Sequence, residues 1–173
     1  AVKVQYPGVA EAVAADLTGL AWALRLAGLF SPGMAAAPVA AELRQRITGE
    51  LDYRAEGSAQ RAFVAAFDGD SDVVVPAVRY AGERILVTDW LPGEPLATFA
   101  EHADQPSRDQ VGTRFQRFAL SGPARAGYLH ADPHPGNFRV MADGRLGVLD
   151  FGAVVPMPGG LPESFGHLIS AMR

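Results

Sequence analysis

The segment that decides the fold reads His-Ala-Asp-Pro-His-Pro-Gly-Asn at residues 130–137, and the chain then reaches Leu-Asp-Phe-Gly at residues 149–152. These two segments contain two carboxylates and one amide, Asp132, Asp150 and Asn137, beside turn-forming Pro and Gly residues. The three side chains are therefore expected in loops rather than inside a helix or a strand.

The residues between the two segments predict a β-hairpin. Phe138 to Met141 and Leu146 to Leu149 are typical of strands, and Asp143-Gly144 between them is typical of a turn. Because a hairpin returns the chain to the edge where it began, Asn137 and Asp150 are expected at the same end of the sheet.

These residue types suit phosphoryl transfer from ATP. The reaction requires a carboxylate that orients or deprotonates the acceptor hydroxyl, and oxygen ligands for the Mg²⁺ on the phosphates. Mg²⁺ keeps several waters, so one carboxylate and one amide oxygen, completed by phosphate oxygens, can form its site. The two segments therefore contain the ligand types that Mg²⁺ and ATP need, and the resemblance below implies both as cofactors.

The pattern His-x-Asp-x-x-x-x-Asn followed by Asp-Phe-Gly resembles the catalytic and metal-binding loops of protein-kinase-like folds. The resemblance implies that Asp132 is the catalytic base, that Asn137 is a metal ligand and that Asp150 is the principal metal ligand. It implies an α+β fold in which a partial small lobe of helices and antiparallel strands is joined by a hinge to a truncated, mainly helical large lobe. We place these lobes at residues 1–91 and 92–173.

Three segments narrow the resemblance to the UbiB/AarF family of atypical kinases. They read Val-Lys-Val-Gln-Tyr-Pro-Gly-Val at residues 2–9, Glu-Leu-Asp-Tyr-Arg-Ala-Glu at residues 50–56, and His-Ala-Asp-Pro-His-Pro-Gly-Asn-Phe at residues 130–138. By that resemblance Lys3 lies on the third strand of the small lobe and holds the nucleotide phosphates, and Glu56 is its partner on a helix. The nucleotide-covering loop that precedes this strand in the family, and the family's Lys-x-Gly-Gln motif, are not in the sequence, so the chain resembles a piece of the family's domain.

The sequence leaves the carboxylate that pairs with Lys3 open. Glu50 and Asp52 form the family's own Glu-x-Asp motif, which the resemblance places near the nucleotide. A helical region is predicted from about Pro38 to Phe67, which a break near Gly49 would divide. On its helix Asp52 and Glu56 are one turn apart and share a face, whereas Glu50 lies on another face. All three remain candidates.

His134 lies two residues after Asp132, where ordinary protein kinases have a lysine. The resemblance implies a contact with the transferred phosphate, but an imidazole in this position can equally cap the loop. His130 is expected to be structural.

The adenine site is expected where residues 85–93, Ile-Leu-Val-Thr-Asp-Trp-Leu-Pro-Gly, resemble the last strand of the small lobe entering the hinge. Backbone groups near Asp89 and Leu91 would then hydrogen-bond the base, and Thr88 would lie at the back of the pocket. A strand that ends in a loop offers unpaired backbone groups for this purpose.

Composition excludes several classes of partner and site. The 173 residues carry a net charge of -4 without a Lys/Arg block, so no nucleic-acid partner is expected. The absence of cysteine excludes disulfides and thiolate sites and fits a reducing, cytoplasmic compartment. The apolar stretch from Leu17 to Phe30 contains Arg25 and is shorter than the roughly 20 residues of a membrane-spanning helix. Lys3 is the one lysine among 15 basic residues, where arginine fills every other position.

The remaining pattern predicts helices and one further hairpin. Helices are expected from about Val9 to Phe30 and from about Arg108 to Ala126, the second kinked or split at Gly122-Pro123. Asp72 to Tyr80 and Arg84 to Leu91 are expected to form an antiparallel hairpin.

The resemblance implies an enzyme that binds Mg-ATP and either transfers its γ-phosphate or hydrolyses it, in isoprenoid quinone or lipid metabolism. Isoprenoid lipids or quinone-pathway proteins would then be partners, with peripheral contact to a membrane. One alternative is a small-molecule kinase of the aminoglycoside or choline type, which shares a His-x-Asp-x-His-x-x-Asn loop but usually lacks Phe-Gly after the metal aspartate. Another is a nucleotide-sensing scaffold without catalysis, which would not need the full set of catalytic residues.

Overall fold

The computed structural model describes residues 1–30 and 52–165. The helices of this part of the chain are α1 (Val9–Phe30), α2 (Tyr53–Ala66), α3 (Leu96–His102) and α4 (Gln105–Ala126), with one 3₁₀ turn at Pro135–Asn137. Its strands are β1 (Val2–Val4), β2 (Val73–Val74), β3 (Val78–Ala81), β4 (Ile85–Thr88), β5 (Glu94–Pro95), β6 (Tyr128–His130), β7 (Phe138–Val140), β8 (Leu146–Val148) and β9 (Val154–Pro156).

The first sheet is antiparallel and has the order β1-β4-β3. The predicted hairpin is present in its second half, where β3 pairs with β4. The prediction is wrong for the first half of the hairpin, because β2 is not part of this sheet. It pairs in parallel with β8, with Val73 opposite Leu146. The interruption falls at Pro76, which has no N–H to donate to a ladder.

Helix α2 begins at Tyr53. Asp52 has an extended backbone (φ -103°, ψ 100°), and its carboxylate accepts a hydrogen bond from the N–H of Arg54. Asp52 is therefore the N-cap, a position that Asp favours because its side chain satisfies a free N–H of the first turn. The helical region predicted from about Pro38 to Phe67 is interrupted at Asp52, three residues after the break expected near Gly49, so Asp52 and Glu56 do not share a helix face. Residues 31–51, Glu50 among them, lie outside the described residues.

Helix α2 packs closely on the first sheet. A Cβ added at Gly57 would collide with the Cβ of Ala81 on β3. The absence of a side chain at Gly57 therefore sets how near the helix can approach the sheet. Glu56, the residue before Gly57, is buried at this contact.

The core joins α2 to the second half of the chain. The ring of Phe63 lies 5.6 Å from that of Phe118 on α4 and 4.9 Å from that of Phe151 in the Asp-Phe-Gly segment. All three side chains are almost completely buried. Burial of such a side chain contributes about 1.5–3 kcal/mol, so these rings fix α2 relative to the loop that carries Asp150.

Helix α4 is continuous from Gln105 to Ala126, so the predicted split at Gly122-Pro123 is wrong, and the predicted kink there stays a prediction. Pro123 lies in the last turn, where its missing N–H removes one backbone hydrogen bond shortly before the helix ends at Gly127 (φ 75°). The helix also begins before the predicted Arg108, because Asp104 caps it by accepting from the N–H of Ser107.

Two pairs of antiparallel strands flank the candidate loops. The predicted β7–β8 hairpin is present, with Phe138 opposite Val148. Strands β6 and β9 also pair, with Leu129 opposite Val155. The loop between β6 and β7 and the loop between β8 and β9 are therefore each held at both ends.

Of the helices that the structure describes, none combines the length and the apolar character needed to cross a membrane.

We expect Gly57→Ala to lower the free energy of unfolding by about 1–3 kcal/mol, because the added methyl group forces α2 away from β3. Gly112→Ala is the matched control, since no described atom lies within 4 Å of a Cβ added at that helical, exposed position. Alanine there should be neutral or stabilising by up to about 1 kcal/mol. Denaturant unfolding of both variants tests the contact, and equal effects of the two substitutions would contradict it.

Candidate active site

Asp132 and Asn137 contact each other in the loop between β6 and β7. The Nδ2 of Asn137 donates to the Oδ2 of Asp132 at 2.7 Å and to its main-chain carbonyl at 3.3 Å. Both amide hydrogens are thus directed at Asp132, and no donor from the described residues reaches the Oδ1 of Asn137. That oxygen is the kind of neutral, hard ligand that Mg²⁺ accepts.

The β7–β8 hairpin brings Asp150 next to this loop, as the sequence predicts. The N–H of Leu149 donates to the main-chain carbonyl of Asn137 at 2.9 Å. The Oδ1 of Asp150 accepts the N–H of Gly152 at 2.9 Å, which orients the carboxylate.

His130 connects the two loops through a hydrogen bond of its buried imidazole. Its Nε2 lies 2.7 Å from the main-chain carbonyl of Asp150, and since a carbonyl can only accept, Nε2 is the donor. Phe118, Phe138 and Phe151 surround the imidazole, with ring centroids 5.6–5.7 Å away. Burial lowers the pKa of His130, so the neutral ring is favoured.

Lys3 pairs with Glu56, one of its three candidate partners. Its Nζ lies 2.9 and 3.0 Å from the two carboxylate oxygens of Glu56. Asp52 instead pairs with Arg54 at 2.9 Å. The structure adds a contact that the sequence did not predict, because the same Nζ lies 3.3 Å from the Oδ2 of Asp150.

The pKa values of these three groups reflect burial and mutual attraction. Burial raises the pKa of Glu56, although the Lys3 ammonium opposes this. Burial alone would lower the pKa of Lys3, but its bonds and attraction to Glu56 and Asp150 outweigh that and raise it. Burial would likewise raise the pKa of Asp150, yet the Gly152 N–H and the Lys3 ammonium lower it. At neutral pH Lys3 is therefore a cation and Asp150 an anion.

The predicted hinge residues make contacts of their own. The N–H of Asp89 donates to the carbonyl of Ala77 at 2.9 Å, and the Asp89 carboxylate pairs with Arg79 at 2.6 Å. The main-chain carbonyl of Asp89 accepts a 3.3 Å bond from the Oγ1 of Thr88. Leu91 is buried. The adenine contacts of these residues stay a prediction.

His134 makes the capping contact that the sequence left as one alternative. Its Nδ1 accepts the N–H of Gly136 at 3.1 Å, at the start of the 3₁₀ turn that ends at Asn137. A contact of its imidazole with phosphate stays a prediction.

Two residues beside the site were not singled out from the sequence. The ring of Tyr53 lies 5.3 Å from the Nζ of Lys3, and Tyr53 belongs to the quoted segment at residues 50–56. The guanidinium of Arg139 donates to the carbonyl of Gly93 and lies 5.5 Å from the ring of Trp90. No sequence signal marks Arg139, because its contact with the hinge depends on the β5–β7 pairing.

The residues present fit a magnesium ion that takes some of its ligands from the protein and others from a bound nucleotide. Within the described part of the chain, no group of three or more His, Cys, Asp or Glu side chains could hold a metal ion. Asp150 and Asn137 offer one carboxylate and one amide, which suits an ion that takes its other ligands from phosphates and water.

Comparison with known proteins identifies the family of this chain. Residues 1–171 match the model of the ABC1 atypical kinase-like domain. The chain is 33% identical, over 98% of its length, to an uncharacterised aarF domain-containing protein kinase of the Arabidopsis thaliana chloroplast. It is 32% identical, over 88% of its length, to the mitochondrial atypical kinase coq-8 of Caenorhabditis elegans.

A solved structure shows the same fold. The Mycobacterium tuberculosis protein Rv3197, determined in complex with erythromycin, has a TM-score of 0.87 and 41% sequence identity over 95% of this chain. The predicted α+β, kinase-like fold is therefore confirmed.

The chain spans 42% of Rv3197, 25% of the Arabidopsis thaliana protein and 21% of coq-8. The match to the family model nevertheless extends over almost every residue, and it confirms the UbiB/AarF resemblance of the segments at residues 2–9, 50–56 and 130–138. This chain belongs to the family of ABC1 atypical kinase-like domains.

Proposed function

We propose that this chain carries the Mg-ATP site of an atypical kinase or ATPase of the UbiB/AarF type. One observation carries the proposal: Lys3 contacts both Glu56 and Asp150, while Asp132 and Asn137 contact each other in the loop alongside. Neighbouring elements thus contribute a cation that can bind phosphates, two ligands for a metal ion and a carboxylate that can accept a proton.

Lys3 supplies the positive charge at the phosphate end of this site. Its bidentate contact with the buried Glu56 positions the ammonium, while 42% of the Lys3 side chain stays exposed and can meet a ligand. An ammonium held in this way favours the anionic oxygens of a nucleotide.

Asp150 and Asn137 would hold the magnesium ion, through the Oδ2 of Asp150 and the Oδ1 of Asn137. When bound, Mg²⁺ would neutralise charge that develops on the transferred phosphoryl group. The N–H of Gly152 and the backbone of the β7–β8 hairpin keep both ligands in place beforehand.

Asp132 would act as the base. Asn137 occupies its Oδ2, so the Oδ1 is the oxygen directed to the acceptor. As the acceptor oxygen, from a hydroxyl group or from water, bonds to the γ-phosphorus, its proton passes to Asp132. The bond between the γ-phosphorus and the bridging oxygen breaks, and ADP leaves with that electron pair.

We propose the phosphate acceptor from the family alone, because Lys3, Asp150 and Asn137 would contact the nucleotide and its metal ion rather than the acceptor. We place the reaction in isoprenoid quinone or lipid metabolism, with isoprenoid lipids or quinone-pathway proteins as partners. We also propose that the protein is cytoplasmic and makes peripheral contact with a membrane.

We expect Asp150→Ala to weaken Mg-dependent ATP binding by on the order of 100-fold, because it removes the negative charge nearest the divalent ion. The full chain would be titrated with ATP by calorimetry, with and without Mg²⁺. Asp143→Ala is the control, since Asp143 is an exposed carboxylate in the β7–β8 turn that pairs with Arg145. Mg-ATP binding by Asp150→Ala at the wild-type level would rule out the metal assignment.

We expect Asp132→Asn to leave Mg-ATP affinity within about threefold of wild type and to lower turnover by about 100- to 10,000-fold, the usual contribution of a general base. Release of labelled phosphate from γ-labelled ATP, and its transfer to added lipids or proteins, measure hydrolysis and phosphorylation separately. Turnover equal to that of wild type in both assays would exclude Asp132 as the base.

A further inference from the structure

The only lysine of the chain contacts two carboxylates that differ in their surroundings. Glu56 is 5% exposed and receives two contacts from Lys3, at 2.9 and 3.0 Å. Asp150 is 40% exposed and receives longer contacts, at 3.3 and 3.5 Å. Glu56 is therefore the fixed partner of Lys3, and Asp150 is the partner that can exchange.

The ammonium lies 3.3 Å from the Oδ2 of Asp150, the oxygen that we assign to the metal ion. The Oδ1 of Asp150 accepts the N–H of Gly152, and among the described residues only Lys3 reaches its Oδ2. A magnesium ion bound to that oxygen would lie about 2.1 Å from it and therefore close to the ammonium. Cation and ammonium would repel each other, and the described residues supply no third acidic or imidazole ligand to offset this.

We propose that Lys3 acts as a surrogate cation on Asp150, so that the site takes up a divalent cation only together with nucleotide phosphates. The inference rests on the proposed function and specifies the order of events at that site. Without nucleotide, Lys3 neutralises Asp150 and opposes the metal ion. Phosphate oxygens offer Lys3 another anionic partner, and its move toward them frees the Oδ2 of Asp150.

The contact with Glu56 keeps Lys3 in the site while it exchanges Asp150 for phosphate. Because it holds the ammonium through both oxygens, Lys3 can release Asp150 without leaving the site. The ring of Tyr53, 5.3 Å from the Nζ of Lys3, offers a further favourable contact that does not depend on Asp150.

The test is the binding of Mn²⁺, followed by electron paramagnetic resonance, to the full chain without nucleotide. Wild type should bind Mn²⁺ weakly, and Lys3→Met should bind it about tenfold more tightly because one repelling charge is removed. Lys3→Arg keeps the charge and should stay within about threefold of wild type. Arg145→Met removes the same charge beside Asp143, in the β7–β8 turn, and should also stay at the wild-type value.

A thermal melt of each variant checks that it folds, and Lys3→Gln replaces Lys3→Met if the latter does not melt cooperatively. Wild type would also be titrated with Mn²⁺ in the presence of a non-hydrolysable ATP analogue. If Mn²⁺ binds with the analogue but the neutral Lys3 variant shows no gain without it, the inference is wrong while the proposed function stands. If Mn²⁺ does not bind even with the analogue, both are wrong.

Discussion

The hydrogen bond between the Nε2 of His130 and the main-chain carbonyl of Asp150 joins the two loops on which the site depends. It forms inside a layer of aromatic rings, where water cannot compete and the neutral imidazole is favoured. The β6–β9 and β7–β8 pairs hold the same loops from outside. The strand pairs and the buried His130 ring together position the loops, and therefore the loop side chains that form the candidate site.

The position of Lys3 depends on a second constraint, the docking of α2. Its partner Glu56 is buried at the contact between α2 and the first sheet, where Gly57 allows a close approach to Ala81. About two turns further along, α2 is held by Phe63, which packs against Phe151. The helix therefore couples the strand that carries Lys3 to the loop that carries Asp150, and loss of either packing contact would separate the two charges.

Sequence reasoning succeeded where the determinants are local. The proximity of Asn137 and Asp150 follows from a hairpin whose turn is visible in the sequence. It failed where a distant contact decides, because β2 pairs with β8 rather than continuing into β3. It also placed Asp52 within a helical region, although Asp52 caps α2 from an extended conformation. The contact of Lys3 with Asp150 could not be predicted either, because it joins residues from opposite ends of the chain through the docking of α2.

The most direct test of the central claim is a ¹H–¹⁵N spectrum of the full chain with a substoichiometric amount of a Mn²⁺–nucleotide complex, because Mn²⁺ broadens the signals of nearby amides. If one site is formed by the two loops and β1, the amide signals of Asn137, Gly152 and Lys3 should broaden first, while those of Gly112 and Arg145 stay sharp. Broadening centred on any other part of the molecule, or none at all, would contradict the account.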